Sequence, residues 1–148
     1  MNRLTSPRAN LMSLSLIFVF FFLIDLLWVG VLSKPIWNAQ IRKITGKDNE
    51  IRLLPAFIAY ALLAFGLNYL AYSQVRSWKY MQDALFYGPV FGLVVYGIFN
   101  MTNMSIFEDY HFVTAIIDTT WGAIASTATL VLVSYLLKGN KFPFLSQK

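Results

Sequence analysis

The chain has no cysteine and a single histidine, His111. Without cysteine there is neither a disulfide scaffold nor a thiolate metal site. Charge is scarce as well. Asp, Glu, Lys and Arg make up 13% of the 148 residues, against about 25% in an ordinary soluble domain. Hydrophobic residues make up 57%. A soluble domain of this length buries only about 68–70% of the surface its unfolded chain exposes, so that much apolar surface cannot be hidden from water. A soluble globular domain and a disordered chain are both excluded, and an integral membrane protein remains.

The net charge of +5 comes from twelve basic residues, which lie outside the apolar runs, where Lys and Arg meet lipid headgroups. No basic stripe is interleaved with stacking aromatics, so no nucleic-acid partner is expected. There is no nucleophile elbow, phosphate loop, H-E-x-x-H or dinucleotide fingerprint. No named reaction, cofactor or metal is therefore predicted. His111, Glu108 and Asp109 cluster in one loop but do not by themselves complete a ligand set.

Crossing a hydrocarbon core of about 30 Å takes about 20 apolar residues. Four segments reach that length, at residues 11–32, 53–73, 84–104 and 114–137. None alternates like a barrel strand. The expected fold is all-α: an integral membrane four-helix bundle in a single transmembrane domain covering 1–148, with both termini on one side. The first run is too long for the hydrophobic region of a signal peptide, has no A-x-A-like site after it and contains Asp25. It reads as a retained helix.

If the face bearing the termini is called side A, it holds Arg3, Arg8, Arg76, Lys79, Lys138, Lys141 and Lys148. Side B holds Lys34, Arg42, Lys43, Lys47 and Arg52. Counting Lys and Arg alone slightly favours side A as cytoplasmic or matrix-equivalent. The long first loop, 33–52, places Trp37, Ile41 and Ile44 at i, i+4 and i+7, which predicts a short helix lying in the interface. It reads as an anchor or as a partner-binding or gating element.

Carboxylates inside the membrane are costly, about 2.5–3.5 kcal/mol for Asp at a helix centre, and usually face the bundle interior. This chain has two, Asp25 and Asp118, together with the amides Asn100 and Asn103. At 1.5 Å per residue, Asp25 lies about 10 Å from side B, and Asn100 and Asp118 about 6 Å. All of them fall in the same half of the membrane. Arg52 enters the second helix at that face as a possible counter-charge. On the third span Gly88, Gly92, Tyr96 and Asn100 recur every four residues, and on the fourth Asp118, Gly122, Ala125, Ser126 and Thr129 share a stripe. Gly88, Gly92 and Gly122 are expected to let helix backbones approach closely. Asp25-Leu26-Leu27-Trp28 and Asp118-Thr119-Thr120-Trp121 are both D-x-x-W. Each sets a carboxylate and an indole donor one turn apart.

These motifs resemble an uncharacterised membrane-protein family, domain of unknown function 2177. Ile24-Asp25-Leu26-Leu27-Trp28-Val29-Gly30 is similar to its first-helix D-x-x-W-L-G. Residues 91–103, ending Tyr96-Gly97-Ile98-Phe99-Asn100-Met101-Thr102-Asn103, resemble its Y-x-x-Y-D-L-T-N. Ile117-Asp118-Thr119-Thr120-Trp121-Gly122 resembles its V-D-x-x-W-G. Where the family usually has Tyr-Asp, this chain has Phe99-Asn100, so one acid of the cluster is neutral here. The resemblance implies a small four-helix membrane protein and brings no activity with it.

Two readings of the cluster follow. In one, Asp25, Trp28, Asn100, Asn103, Asp118 and Trp121 form a pocket that binds or conducts a proton, a cation or a small polar ligand. In the other, the cluster serves helix packing in an accessory subunit of a larger membrane complex or a self-associating bundle, with the basic tail 138–144 as a docking strap.

Overall fold

The structure is a computed structural model that describes residues 7–139. No strand occurs among those residues. Helix α1, Pro7–Leu27, passes into a π-helical turn, Trp28–Leu32. Helix α2, Lys34–Thr45, follows and ends at Gly46, whose φ of 72° is the left-handed conformation a helix C-cap favours. Helix α3, Leu53–Gly66, also runs into a π turn, Leu67–Ala71, before a 3-10 turn, Tyr72–Gln74. A second 3-10 turn, Ser77–Lys79, leads into α4, Tyr80–Ile106, and the last element is α5, Phe112–Lys138.

Four helical stretches are long and apolar enough to cross a membrane: Pro7–Leu32, Leu53–Gln74, Ser77–Ile106 and Phe112–Lys138. They contain the four runs expected from hydropathy. The third extends furthest beyond its expected limits. At its start, Asp83 in the first turn of α4 accepts from the Arg76 backbone N–H at 2.9 Å and pairs with its guanidinium at 2.7 Å. At its end, Asn103 and Ser105 return hydrogen bonds to Phe99 and Thr102 of their own helix.

The bundle has an apolar core around Ile17, Phe21, Leu67 and Leu130, and its outer surface is apolar too. Leu53, Leu62 and Leu70 of the second span are each more than 60% exposed, as lipid-facing residues should be. The middle of α5 is small and polar on its buried face, with Asp118, Gly122, Ala125, Ser126 and Thr129 all buried, and Leu130 and Val133 continue that face as apolar core. On α1 the buried residues Ser13, Ile17, Phe21 and Asp25 recur every four positions, one stripe of a 3.6-residue helix.

Helices α4 and α5 have the most extensive contact, and α1 packs on both α5 and α3. The reason lies in the glycines. A Cβ at Gly88 would stand 2.5 Å from the Thr127 backbone, one at Gly92 would overlap the Gly122 carbonyl, and one at Gly122 would fall into the Tyr96 ring. Small residues let backbones meet where lipid supplies no hydrophobic drive between helices.

The two π turns interrupt spans that hydropathy reads as continuous. Both the backbone N–H and the hydroxyl of buried Ser33 bond to the Trp28 carbonyl, at 2.7 and 2.9 Å. That i to i+5 closure widens the turn at Trp28. The other π turn carries buried Asn68, which accepts from the Ser13 hydroxyl at 2.7 Å.

Candidate functional site

Helices α1 and α5 run antiparallel, and each bears D-x-x-W. In α1 the aspartate is the deeper of the pair, and in α5 the tryptophan is. Three residues rise about 4.5 Å in a helix, so antiparallel packing sets Asp25 level with Trp121 and Trp28 level with Asp118. The observed bonds are crossed accordingly. Trp121 Nε1 donates to Asp25 Oδ1 at 2.8 Å, and Trp28 Nε1 donates to Asp118 Oδ1 at 3.3 Å. The two indoles stack between the carboxylates with centroids 4.6 Å apart and planes inclined by 8°. Each motif serves the opposite helix, not its own. The stacked rings leave no room for a ligand between them.

Other donors complete the cluster. Tyr60 of α3 gives its hydroxyl to Asp25 Oδ2 at 2.7 Å, and Tyr96 of α4 reaches Asp25 Oδ1 at 3.3 Å. The Asn100 amide donates to Asp118 Oδ2 and to the Tyr96 carbonyl, both at 2.8 Å. A further 3.3 Å contact reaches the Thr119 hydroxyl. Tyr110, in the loop between α4 and α5, donates to Asn100 Oδ1 at 2.7 Å. Asp25 and Asp118 are each 5% exposed and Asn100 is fully buried. All four membrane-length helices thus converge on two carboxylates whose hydrogen-bond donors are uncharged.

The side-B end of the cluster lies beneath α2. Trp37 packs edge-on against Tyr110, with centroids 6.4 Å apart. Buried Gln40 donates to the Asp109 carbonyl at 2.9 Å and accepts from the His111 backbone N–H at 3.0 Å, so one amide side chain fixes the α4–α5 loop at two points on either side of Tyr110. Lys43 lies 3.1 Å from Asp109 and 3.4 Å from the His111 ring. Burial, and secondarily the charge of Asp118, push the Tyr110 hydroxyl up to about 12.

Of the residues singled out by sequence, Asp25, Trp28, Asn100, Asp118 and Trp121 come together. Asn103 stands apart, its amide turned to the Phe99 carbonyl at 2.9 Å. Arg52 is exposed at the foot of α3. The ion pairs among the described residues are Arg42–Asp48, Lys43–Asp109 and Arg76–Asp83, and Arg52 is in none of them. Asp109 and His111 are engaged by α2. Of the basic strap 138–144, only Lys138 and Gly139 fall within the described residues, and Lys138 folds back. Its ammonium donates to the Tyr72 and Val75 carbonyls and lies 4.1 Å over the Tyr72 ring.

Sequence reading missed Tyr60, Tyr110 and Gln40. Tyr60 had a signal: it lies seven residues inside an apolar run, too deep for an interfacial belt residue. Gln40 had a weaker one, a neutral amide on the apolar side of an otherwise basic helix. Nothing in the local sequence around Tyr110 marks it.

No curated protein and no solved structure matches the chain. Residues 10–136, which include every member of the cluster, match the family described as predicted membrane protein, domain of unknown function 2177, and the chain belongs to that family.

Proposed function

We propose that this protein binds a proton reversibly within the membrane, at the Asp25–Asp118 pair. The observation that carries the reading is the pairing of two buried carboxylates with uncharged donors only. An ionised Asp in hydrocarbon surroundings is costly, and two like charges in one cluster raise that cost. Indole, phenol and amide donors offset part of it, and a proton removes most of the rest. A proton also suits the packing, because the stacked indoles fill the space that a larger polar ligand would need. Trp28 and Trp121 then act as orienting donors, and Asn100 and Tyr110 link the pair toward side B.

The test is a pH titration of the protein in lipid nanodiscs, followed by tryptophan fluorescence and near-ultraviolet circular dichroism. The coupled signal of the stacked indoles should change with pH in the native chain and become flat in the double variant Asp25→Asn/Asp118→Asn. Identical titrations of the two proteins would refute the proposal.

A second reading, an accessory subunit in which the cluster serves packing, draws on the same saturation of hydrogen bonds. It predicts co-migration with larger partners on a native gel after gentle extraction. It also predicts loss of that assembly in Asp25→Asn.

A further inference from the structure

The two carboxylates are not chemically equivalent, and the difference assigns the proton to one of them. This step rests on the proton-binding reading. Asp118 meets only donors. Trp28 Nε1–H, at Oδ1, cannot accept. At Oδ2 stands the Asn100 amide nitrogen. Its orientation is set by two neighbours: the Tyr96 carbonyl, which only accepts, lies 2.8 Å from Nδ2, and the Tyr110 hydroxyl lies 2.7 Å from Oδ1. Turning the amide over would press Asn100 Oδ1 against the Tyr96 carbonyl. An O–H on Asp118 would therefore point at a donor from either oxygen.

Asp25 differs. Its Oδ1 accepts from Trp121 at 2.8 Å and from Tyr96 at 3.3 Å. Its Oδ2 faces the Tyr60 hydroxyl at 2.7 Å, and a hydroxyl can donate or accept. The titratable groups around Asp25 are Tyr60 on α3, Tyr96 on α4 and Asp118 on α5, and none is a cation.

We propose that the proton binds at Oδ2 of Asp25, where the Tyr60 hydroxyl changes from donor to acceptor, while Trp28 and Asn100 keep Asp118 as a standing carboxylate. In this step a proton forms an O–H bond on Asp25 Oδ2, the Tyr60 hydrogen rotates off that axis, and the pair's charge changes from −2 to −1. No electrons move. Asp118 supplies the negative field that favours one proton at Asp25, and it has no acceptor on which to settle a second.

Infrared difference spectra between acidic and alkaline pH, on the full chain in nanodiscs, test the assignment. The carboxylic-acid C=O band that appears on acidification should vanish in Asp25→Asn and persist in Asp118→Asn. In Tyr60→Phe it should persist but shift toward the position of a weakly hydrogen-bonded acid. The coupled circular dichroism of the indole pair confirms that each variant is folded. If Asp25→Asn does not fold, the Tyr60→Phe shift decides, and an unshifted band there overturns the assignment. Loss of the band in Asp118→Asn with survival in Asp25→Asn overturns the assignment but leaves proton binding intact. Native spectra in which no band depends on either aspartate overturn both.

Discussion

Replacing Gly92 by alanine tests the idea that backbone contact between α4 and α5 holds the whole cluster in register. The added Cβ would overlap the Gly122 carbonyl oxygen and stand 2.6 Å from the Ala123 Cα. Neither is the end of a flexible side chain, so the helices themselves must move apart, by about 1 Å to restore ordinary contact. Overpacking of this kind costs about 1–3 kcal/mol. The displacement also reaches the site. Asn100 on α4 bonds Asp118 on α5 at 2.8 Å, and a 1 Å separation would carry that pair past hydrogen-bond range. Gly97→Ala is the control, because its Cβ would meet only the Thr119 methyl, at 3.8 Å, and Ala has the better helix propensity. Unfolding in mixed micelles, followed by tryptophan emission, should therefore place Gly92→Ala about 1–3 kcal/mol below the native protein and Gly97→Ala near it. Equal stability of the two variants would refute the argument.

Four further outcomes are expected. Trp121→Phe should destabilise the fold more than Trp28→Phe, because the bond lost is 2.8 Å rather than 3.3 Å, while both abolish the indole coupling in circular dichroism. Gln40→Ala removes both bonds to the α4–α5 loop; at about 1 kcal/mol each, amide hydrogen exchange of residues 107–111 should quicken roughly 5–30-fold. Asn100→Asp turns a donor into an acceptor facing Asp118 and the Tyr96 carbonyl, so melting should show a loss of about 1–3 kcal/mol or more at neutral pH that recedes on acidification as the new acid takes up a proton. For Tyr110, pushed up to about 12 by burial, the unfolded chain ionises from about pH 10 while the folded one stays neutral. The part of the stability that Tyr110 contributes should be lost as pH rises through that window, so Tyr110→Phe should lessen the fall in stability there.

The membrane class and the four spans were legible because the bilayer imposes one strong requirement, a run of about 20 apolar residues, and hydropathy reports that requirement directly. The packing stripes were legible for a similar reason, since glycine and small polar residues every three or four positions mark a helix face. The π turns were not. The first closes through a single serine, Ser33, which makes two bonds onto the Trp28 carbonyl, and no residue type signals that choice. Helix α2 was visible from Trp37, Ile41 and Ile44, yet its task was not. What α2 holds down, the Asp109 and His111 backbone, lies about 70 residues away in sequence.

The D-x-x-W echo shows most clearly where local reading ends. Read along one helix, it pairs each carboxylate with the indole one turn on. A helix offers a second geometry, however, once a neighbour runs the opposite way with the same three-residue spacing. Asp then meets the neighbour's Trp at its own depth, and the two indoles are brought face to face. The spacing was in the sequence, whereas the choice between intrahelical and crossed bonding depended on which helix lies beside α1, a tertiary fact. The same holds for the inequality of the two aspartates. Their motifs are alike, and the difference comes from Tyr60 on one side and from an amide fixed by Tyr96 and Tyr110 on the other. Identical local motifs thus acquire separate chemical roles through residues contributed by α3, α4 and the α4–α5 loop.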